Sequence, residues 1–219
     1  MFKREEIEKI LLQAEQLDPE YEMFGVSRHQ YKLNPPITKE FVHRVEERYN
    51  FQLPEDYFQF ITEVGDGGAG PDYGIYQFKD FLRKGSSPGV EKFYEAYRCS
   101  MAKPFIVCPM ESEEVEYDYA FSKEAYEKNP EKYFVEIGNS DEYGLCDTNG
   151  YFVLGTHGCQ WDFGLVISGE RRGQVFDTDN EGGYMLVAGS FSEFYQEWLD
   201  YIQDIEQFQK ELEMWRNIK

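Results

Sequence analysis

The sequence predicts an α+β domain in which helices pack on one face of a curved antiparallel or mixed sheet. Two observations lead to this prediction. Amphipathic helical patterns lie at both ends of the chain, and short segments of alternating polarity, separated by turn residues, fill the middle. No strand–helix alternation of the parallel α/β type is found. At 219 residues, 41% of them hydrophobic, the chain is long enough to bury a core without disulfides.

Three helices are predicted in the N-terminal third of the chain. Apolar residues recur at helical spacing over Ile7–Leu17, and Asp18-Pro19 ends that pattern. Thr38 is suited to cap a second helix. Leu53-Pro54 opens a third, because proline fits the first helical turn, and the glycine-rich run 65–70 ends it.

The central part of the chain changes to the two-residue period of strands. Strands are predicted at 73–78, 133–137 and 184–187 and in two hairpins, 143–147 with 151–154 and 163–168 with 174–177. Asn149-Gly150 in the first hairpin supplies the positive φ angles of a tight turn. Residues 90–98 are predicted to be helical, whereas 111–130 gives no clear pattern.

A long C-terminal helix is predicted after a capping box. Ser190 and Glu193 stand at the spacing of that motif, and the apolar residues that follow, as far as Leu212, share one helical face.

The charge of the chain restricts its partners. The formal net charge is −20, and residues 110–219 hold 24 acidic against 8 basic side chains. Nucleic acids and anionic membranes attract clustered Lys and Arg, so neither is expected as a direct ligand. The N-terminus turns acidic where a signal peptide would be apolar, and no run approaches 18 apolar residues. A cytoplasmic location is expected.

The cysteines and histidines offer few candidates for chemistry. The four cysteines form no CxxC pair and are expected to be buried, reduced thiols. His157-Gly158-Cys159 has the residue types of a metal site or of a nucleophile with its base, and a hydrolase using His157 and Cys159 is the enzyme alternative. Ordinary burial or turn geometry is favoured there. His29 and His43 are expected at the surface.

Two loops resemble ligand loops without matching them. Asp177 to Gly182 begins like a calcium loop, but Ala188 stands where the bidentate Glu belongs, so at most a weak cation site is predicted. The glycines 65–70 follow a helix and precede no Gly-Lys-Ser/Thr sequence, which excludes a Walker phosphate loop. No catalytic residue, cofactor or metal is therefore assigned.

One set of motifs is more specific. It contains Ile37, Val45-Glu46, Leu53-Pro54, Asp56-Tyr57, Phe60 and Gly65-Asp66-Gly67-Gly68, and later Glu136-Ile137, Gly144–Asp147, Asn149-Gly150 and Ser190 through Phe194 to Trp198. In order and spacing this chain resembles the Smi/Knr branch of the SUKH superfamily over roughly residues 36–205. The resemblance implies a helical extension over 1–35 and a single domain over 36–219 that carries an insertion around 79–131. The extension and the insertion depart from the family pattern.

The resemblance implies an α+β fold around a curved sheet and a non-enzymatic binding role. Many bacterial members resemble immunity proteins that neutralise toxins, often nucleases, and fungal relatives regulate cell-wall synthesis. We therefore expect an immunity protein for a basic toxin domain, with a regulatory or scaffold protein as the alternative. The resemblance transfers no site residue, and it leaves the oligomeric state open.

The partner is expected to dock on acidic residues that lie close together in the sequence. Variable loops on a fixed scaffold are suited to specificity. The predicted contacts fall in two clusters, one within the insertion and one after a hairpin: Glu111, Glu113, Glu114, Glu116 and Asp118, and Asp177, Asp179 and Glu181.

Overall fold

The computed structural model describes residues 2–111, 122–136, 149–178 and 182–218. These residues form seven α-helices and one six-stranded sheet. The helices are α1 (Arg4–Leu17), α2 (Lys39–Tyr49), α3 (Glu55–Gln59), α4 (Pro88–Ser100), α5 (Lys123–Lys128), α6 (Phe191–Gln203) and α7 (Ile205–Ile218). The strands are β1 (Val107–Pro109), β2 (Tyr133–Glu136), β3 (Tyr151–Gly158), β4 (Trp161–Val166), β5 (Val175–Thr178) and β6 (Gly183–Ala188). The predicted α+β class is confirmed.

The sheet is antiparallel throughout, in the order β1-β2-β6-β5-β4-β3. The predicted hairpin over 163–177 is confirmed, with Phe163 opposite Asp177 and Leu165 opposite Val175. The first strand of the other predicted hairpin, 143–147, lies outside the described residues. Its second strand is β3, which continues to Gly158 and pairs with β4.

The predicted strand at 73–78 is wrong. Only Ile75 pairs there, in an isolated bridge with Gly68, and the chain then enters a 3-10 turn over Phe78–Leu82. The buried carboxylate of Asp66 accepts the Phe78 N–H at 2.7 Å. This N–H therefore donates to a side chain and not to a carbonyl of a neighbouring strand.

The helix starts follow the predicted capping residues. Thr38 accepts the N–H of Phe41 at 3.2 Å, and Ser190 accepts that of Glu193 at 3.0 Å. The third helix, α3, continues as a π-helical turn over Phe60–Val64 before the glycines.

The residue alternation of the strands places a core on each face of the sheet. Phe152 and Leu154 of β3 face the large core under the helices, whereas Tyr151 faces a smaller aromatic cluster on the opposite side. Phe105 packs in that second cluster, with its ring 5.7 Å from that of Tyr151. Both faces therefore carry buried side chains, although the helices are predicted on one face alone.

Leu53, Tyr57, Ile61 and Ile202 are buried in the core, while Trp198 is half-buried. The C-terminal helix is divided in two at Asp204. The Asp204 carboxylate accepts the N–H of Gln207 at 3.1 Å and so begins α7. This break lets Phe208 and Leu212 reach the main core.

Candidate functional site

A groove of about 680 Å³ lies between α4, the segment 28–34 and the turn 73–83, with β3 at its base. Its volume falls within the roughly 300–1,000 Å³ that is typical of small-molecule and cofactor sites. Aromatic side chains form much of its wall: Tyr73, Tyr76, Phe93, Tyr94 and Tyr97. We name this feature the aromatic groove.

The glycine-rich run shapes the floor of the aromatic groove. Gly68 and Ile75 exchange two backbone hydrogen bonds, each of 2.9 Å. The N–H of Tyr76 donates to the carbonyl of Leu154 at 2.6 Å, which fixes the turn to the edge strand. Gly67 has a φ of 70°, and a Cβ there would lie 2.5 Å from the Ile75 carbonyl oxygen. Only glycine fits this position.

The same run cannot serve as a phosphate cradle. A cradle needs backbone N–H groups that point at the ligand. Those of Asp66, Gly67, Gly68 and Ala69 all donate to backbone carbonyls instead. The glycines of this run therefore have an architectural role.

Arg98 fastens α4 over the groove. Its side chain is only 3% exposed and pairs with Glu91 at 2.6 Å and with Glu95 at 2.9 Å. It also donates to the carbonyl oxygens of Phe81 and Arg83, so one guanidinium joins the helix to the turn before it. The wall of the groove is thus held by charge-assisted hydrogen bonds of a buried guanidinium.

The rim of the groove is basic in an acidic protein. Arg28, Lys32 and Arg83 line it and are exposed, against one carboxylate, that of Asp80. The Arg28 guanidinium lies 5.1 Å from the centre of the Tyr76 ring. The groove therefore combines aromatic surface with positive charge.

His29 lies at the inner wall of the groove, and its predicted surface position is wrong. It is 8% exposed, and its Nδ1 accepts the N–H of Tyr31 at 3.1 Å. Burial lowers the pKa of His29 to about 4. The carbonyls of Asp72 and Gly70 favour the charged form, but their effect is smaller than that of burial. The ring is neutral at pH 7 and acts in packing. His43, in contrast, is exposed as predicted.

His157 bridges two aspartates at the β3–β4 hairpin. Its Nε2 lies 3.1 Å from Asp177 Oδ1, and its Nδ1 contacts Asp72 Oδ2. Burial disfavours the imidazolium, but the hydrogen bonds to Asp177 and Asp72 outweigh it and raise the pKa to about 10. A charged His157 thus ties the loop at Asp72 to strand β5.

Cys159 is not joined to His157. It is exposed in the hairpin turn, with a φ of 49°, and no hydrogen bond links the two side chains within the described part of the chain. Cys99 is also exposed, and Cys108 is half-buried. The predicted burial of the thiols is therefore wrong for Cys159 and Cys99. Cys146 lies outside the described residues.

The structure describes two of the predicted partner contacts. Glu111 is exposed. Asp177 has a 13% exposed side chain, and its carboxylate contacts His157. The remaining six, Glu113, Glu114, Glu116, Asp118, Asp179 and Glu181, lie outside the described residues, as does half of the calcium-like stretch from Asp177 to Gly182. As partner contacts all eight stay predictions.

One acidic face is absent from these sequence predictions. Glu193, Glu197, Asp200 and Asp204 are all exposed along α6 and its C-terminal end, and none has an ion pair with Lys or Arg among the described residues. We name these four the α6 acidic face. Their spacing of four, three and four residues places them on one side of a helix. That spacing is visible in the sequence and could have identified them.

Within the described ranges, no group of three His, Cys, Asp or Glu side chains has a geometry that could hold a metal ion. None of the helices there combines the length and apolar character needed to cross a membrane.

Comparison with known proteins yields one family. The model of the SMI1/KNR4 family (SUKH-1) matches residues 36–197, which is most of the chain. No curated protein and no solved structure gave a significant match. The match covers α2 to the middle of α6, including the glycine run and all six strands of the sheet.

Proposed function

Because the chain belongs to the SMI1/KNR4 family (SUKH-1), we propose that it is a non-enzymatic protein-binding module of the cytoplasm, and specifically an immunity protein that neutralises a basic toxin domain. Resemblance to immunity proteins supports the class of function. The α6 acidic face supports the charge of the partner, because its four carboxylates are exposed and no Lys or Arg in the described part of the chain lies within ion-pair distance of them.

A nuclease toxin is suited to such a surface. It must expose Lys and Arg to hold phosphates, and a protein of net charge −20 attracts those groups over a long range. Complementary charge mainly accelerates association and selects the partner. The carboxylates would thus occupy the groups that the toxin uses for its substrate.

The histidine geometry supports a binding role rather than hydrolysis. Both ring nitrogens of His157 contact carboxylates, so neither one is positioned to take a proton from Cys159. The short distances within the bridge serve to join two segments of the fold.

The test uses the basic C-terminal domain of the large secreted protein that the immunity function leads us to expect directly upstream of this chain. Cells producing that domain should stop growing and should recover when this protein is produced as well. Association rates are then measured against ionic strength for the wild type, for E113K/E114K/E116K and for E197K/D200K. The control is E47K/E127K, because Glu47 and Glu127 are exposed acids on other helices.

We expect one or both acidic variants to associate about 10-fold more slowly at low salt, and the difference to shrink once the Debye length falls to about 3 Å near 1 M salt. The control should retain the wild-type rate. Absence of a complex would refute the immunity function, whereas a complex formed at unchanged rates by every variant would refute docking through the acids.

A further inference from the structure

We propose that the aromatic groove binds an extended segment of a partner protein in which carboxylate side chains flank an apolar one. This inference goes beyond the proposed function, because the groove has the opposite charge to the surface that would meet a basic toxin. Its test does not use the toxin, so the two can fail separately.

The charge of the groove favours an anionic occupant. Three exposed cations, Arg28, Lys32 and Arg83, line it in a chain whose acidic residues outnumber the basic ones by 20. Lys32 has a single acidic neighbour, Glu15, at 3.7 Å, and Arg83 has no ion pair among the described residues. These groups are accessible to the carboxylates of a ligand.

The apolar surface beside these cations favours a polypeptide. Val90 and Phe93 lie three residues apart on α4 and are 36% and 45% exposed, and Phe93 faces the groove. Exposed aromatic and arginine side chains on rigid elements are typical of the residues that dominate binding energy in protein interfaces. An apolar side chain of the partner would contact Phe93 while its neighbours reach the cations.

Two further observations define how the segment is recognised. The backbone N–H groups of residues 66–69 are already hydrogen-bonded, which leaves no cradle for the phosphates of a nucleotide. Two backbone groups on the edge of β3 already have partners. The Val153 N–H donates to the Tyr97 hydroxyl, and the Leu154 carbonyl accepts the Tyr76 N–H. Recognition therefore occurs through side chains and not through addition of a strand.

The experiment pans the full chain against a random 12-residue peptide library displayed on phage. We expect enriched peptides to carry at least two Asp or Glu residues around a Leu, Ile or Phe. Their affinity, measured by fluorescence anisotropy, should fall at least 10-fold in R28E/R83E and in F93A. The matched control is K9E/R44E, which makes the same change in net charge at exposed positions outside the groove and should leave affinity unchanged.

Enriched peptides that are basic, or that bind R28E/R83E as tightly as the wild type, would overturn the proposal, and so would a library without enrichment. A parallel titration with ATP separates the other class of anion. Saturable ATP binding that R28E/R83E abolishes, with no acidic peptide enriched, would assign the groove to a nucleotide. Circular dichroism of each variant confirms that it is folded.

Discussion

The hydroxyl of Tyr97 on α4 accepts a hydrogen bond from the backbone N–H of Val153 at 3.0 Å. Val153 belongs to β3, the outer strand of the sheet, and unpaired groups on an outer strand promote pairing with other chains. A side chain of the groove wall therefore protects the edge of the sheet.

Replacing Tyr97 with Phe removes this acceptor and nothing else from the contact. We expect the free energy of unfolding in urea to fall by about 1–2 kcal/mol, because the Val153 N–H loses its partner. Hydrogen exchange at Val153 should accelerate. Tyr94→Phe is the control, since Tyr94 lines the same groove without a hydrogen bond to β3 in the described structure. Equal effects of both variants would contradict this role.

Arg98→Leu should loosen the wall of the groove. The variant leaves the carbonyls of Phe81 and Arg83 without their donor and Glu91 without its buried cation. Since both glutamate partners are about 40% exposed (40% and 44%), water can solvate them. We expect a loss of about 2–3 kcal/mol, below the roughly 3–5 kcal/mol of a fully buried broken pair. Urea unfolding measures this loss. Surface substitutions typically change stability by no more than about 0.5 kcal/mol, so a loss within that range would contradict a structural role for Arg98.

Two glycines should respond to alanine in opposite directions. Gly67→Ala forces a Cβ to within 2.5 Å of the Ile75 carbonyl oxygen at a φ of 70°, so we expect a loss of more than about 1 kcal/mol. Gly89 lies in the first turn of α4 with nothing near its missing Cβ. Gly89→Ala should stabilise the protein by about 0.4–1 kcal/mol. Thermal unfolding measures both. Gly67→Ala as stable as the wild type would contradict the constraint on the glycine run, and a destabilised Gly89→Ala would contradict the open space beside that residue.

The His157 bridge should make stability depend on pH. The pKa of His157 is raised from 6.5 to about 10 in the folded protein. Its stabilising effect is therefore complete below pH 6.5, declines above it and is lost as the pH rises through about 10. We expect His157→Gln to reduce the free energy of unfolding by about 1–3 kcal/mol at pH 6, and to have little effect at pH 10.5. His43→Gln, at an exposed site, serves as the control. A difference between wild type and H157Q that stays constant from pH 6 to 10.5 would contradict the charged bridge.

Asp66 should show a dependence of the same sign, but at lower pH. Burial raises the pKa of Asp66 above its usual value of 3.8. The N–H groups of Phe78 and Lys79 lower it, but their effect is smaller than that of burial. A proton binds the folded state first as the pH falls, so the wild type should gain stability relative to Asp66→Asn between neutral pH and pH 3.8. At pH 7 Asn keeps the acceptor for Phe78 and should cost less than about 1 kcal/mol, whereas Asp66→Ala should cost about 1–3 kcal/mol. Urea unfolding at several pH values checks this, and a wild type that loses stability relative to D66N on acidification would contradict the raised pKa.

The sequence predicts the elements whose information is local. Thr38 and Ser190 cap the helices that they are predicted to cap, because capping needs only a hydroxyl and the next turn of backbone. The hairpin over 163–177 is likewise specified by alternation on both sides of a turn.

Features that depend on distant contacts are not predictable in this way. The strand expected at 73–78 is displaced by the Asp66 side chain, twelve residues from its Phe78 partner. His157 looks like a partner for Cys159 in the sequence, but its partners Asp72 and Asp177 lie 85 and 20 residues away. The aromatic groove has the same origin, since its walls come from four separate segments and no motif marks them.

The contact between Asp56 and Ser192 has a consequence for how the chain folds. The Asp56 carboxylate accepts the N–H of Ser192 at 2.8 Å, across 136 residues, in the first turn of α6. Such long loop closures slow folding, and during synthesis at roughly 5–20 residues per second α3 waits on the order of ten seconds for its partner helix. Tyr57 and Phe60, whose rings pack against Phe191 and Tyr195 of α6 in the folded protein, stay exposed to solvent for that interval. The nascent protein is thus most exposed to aggregation just before its C-terminal helices leave the ribosome.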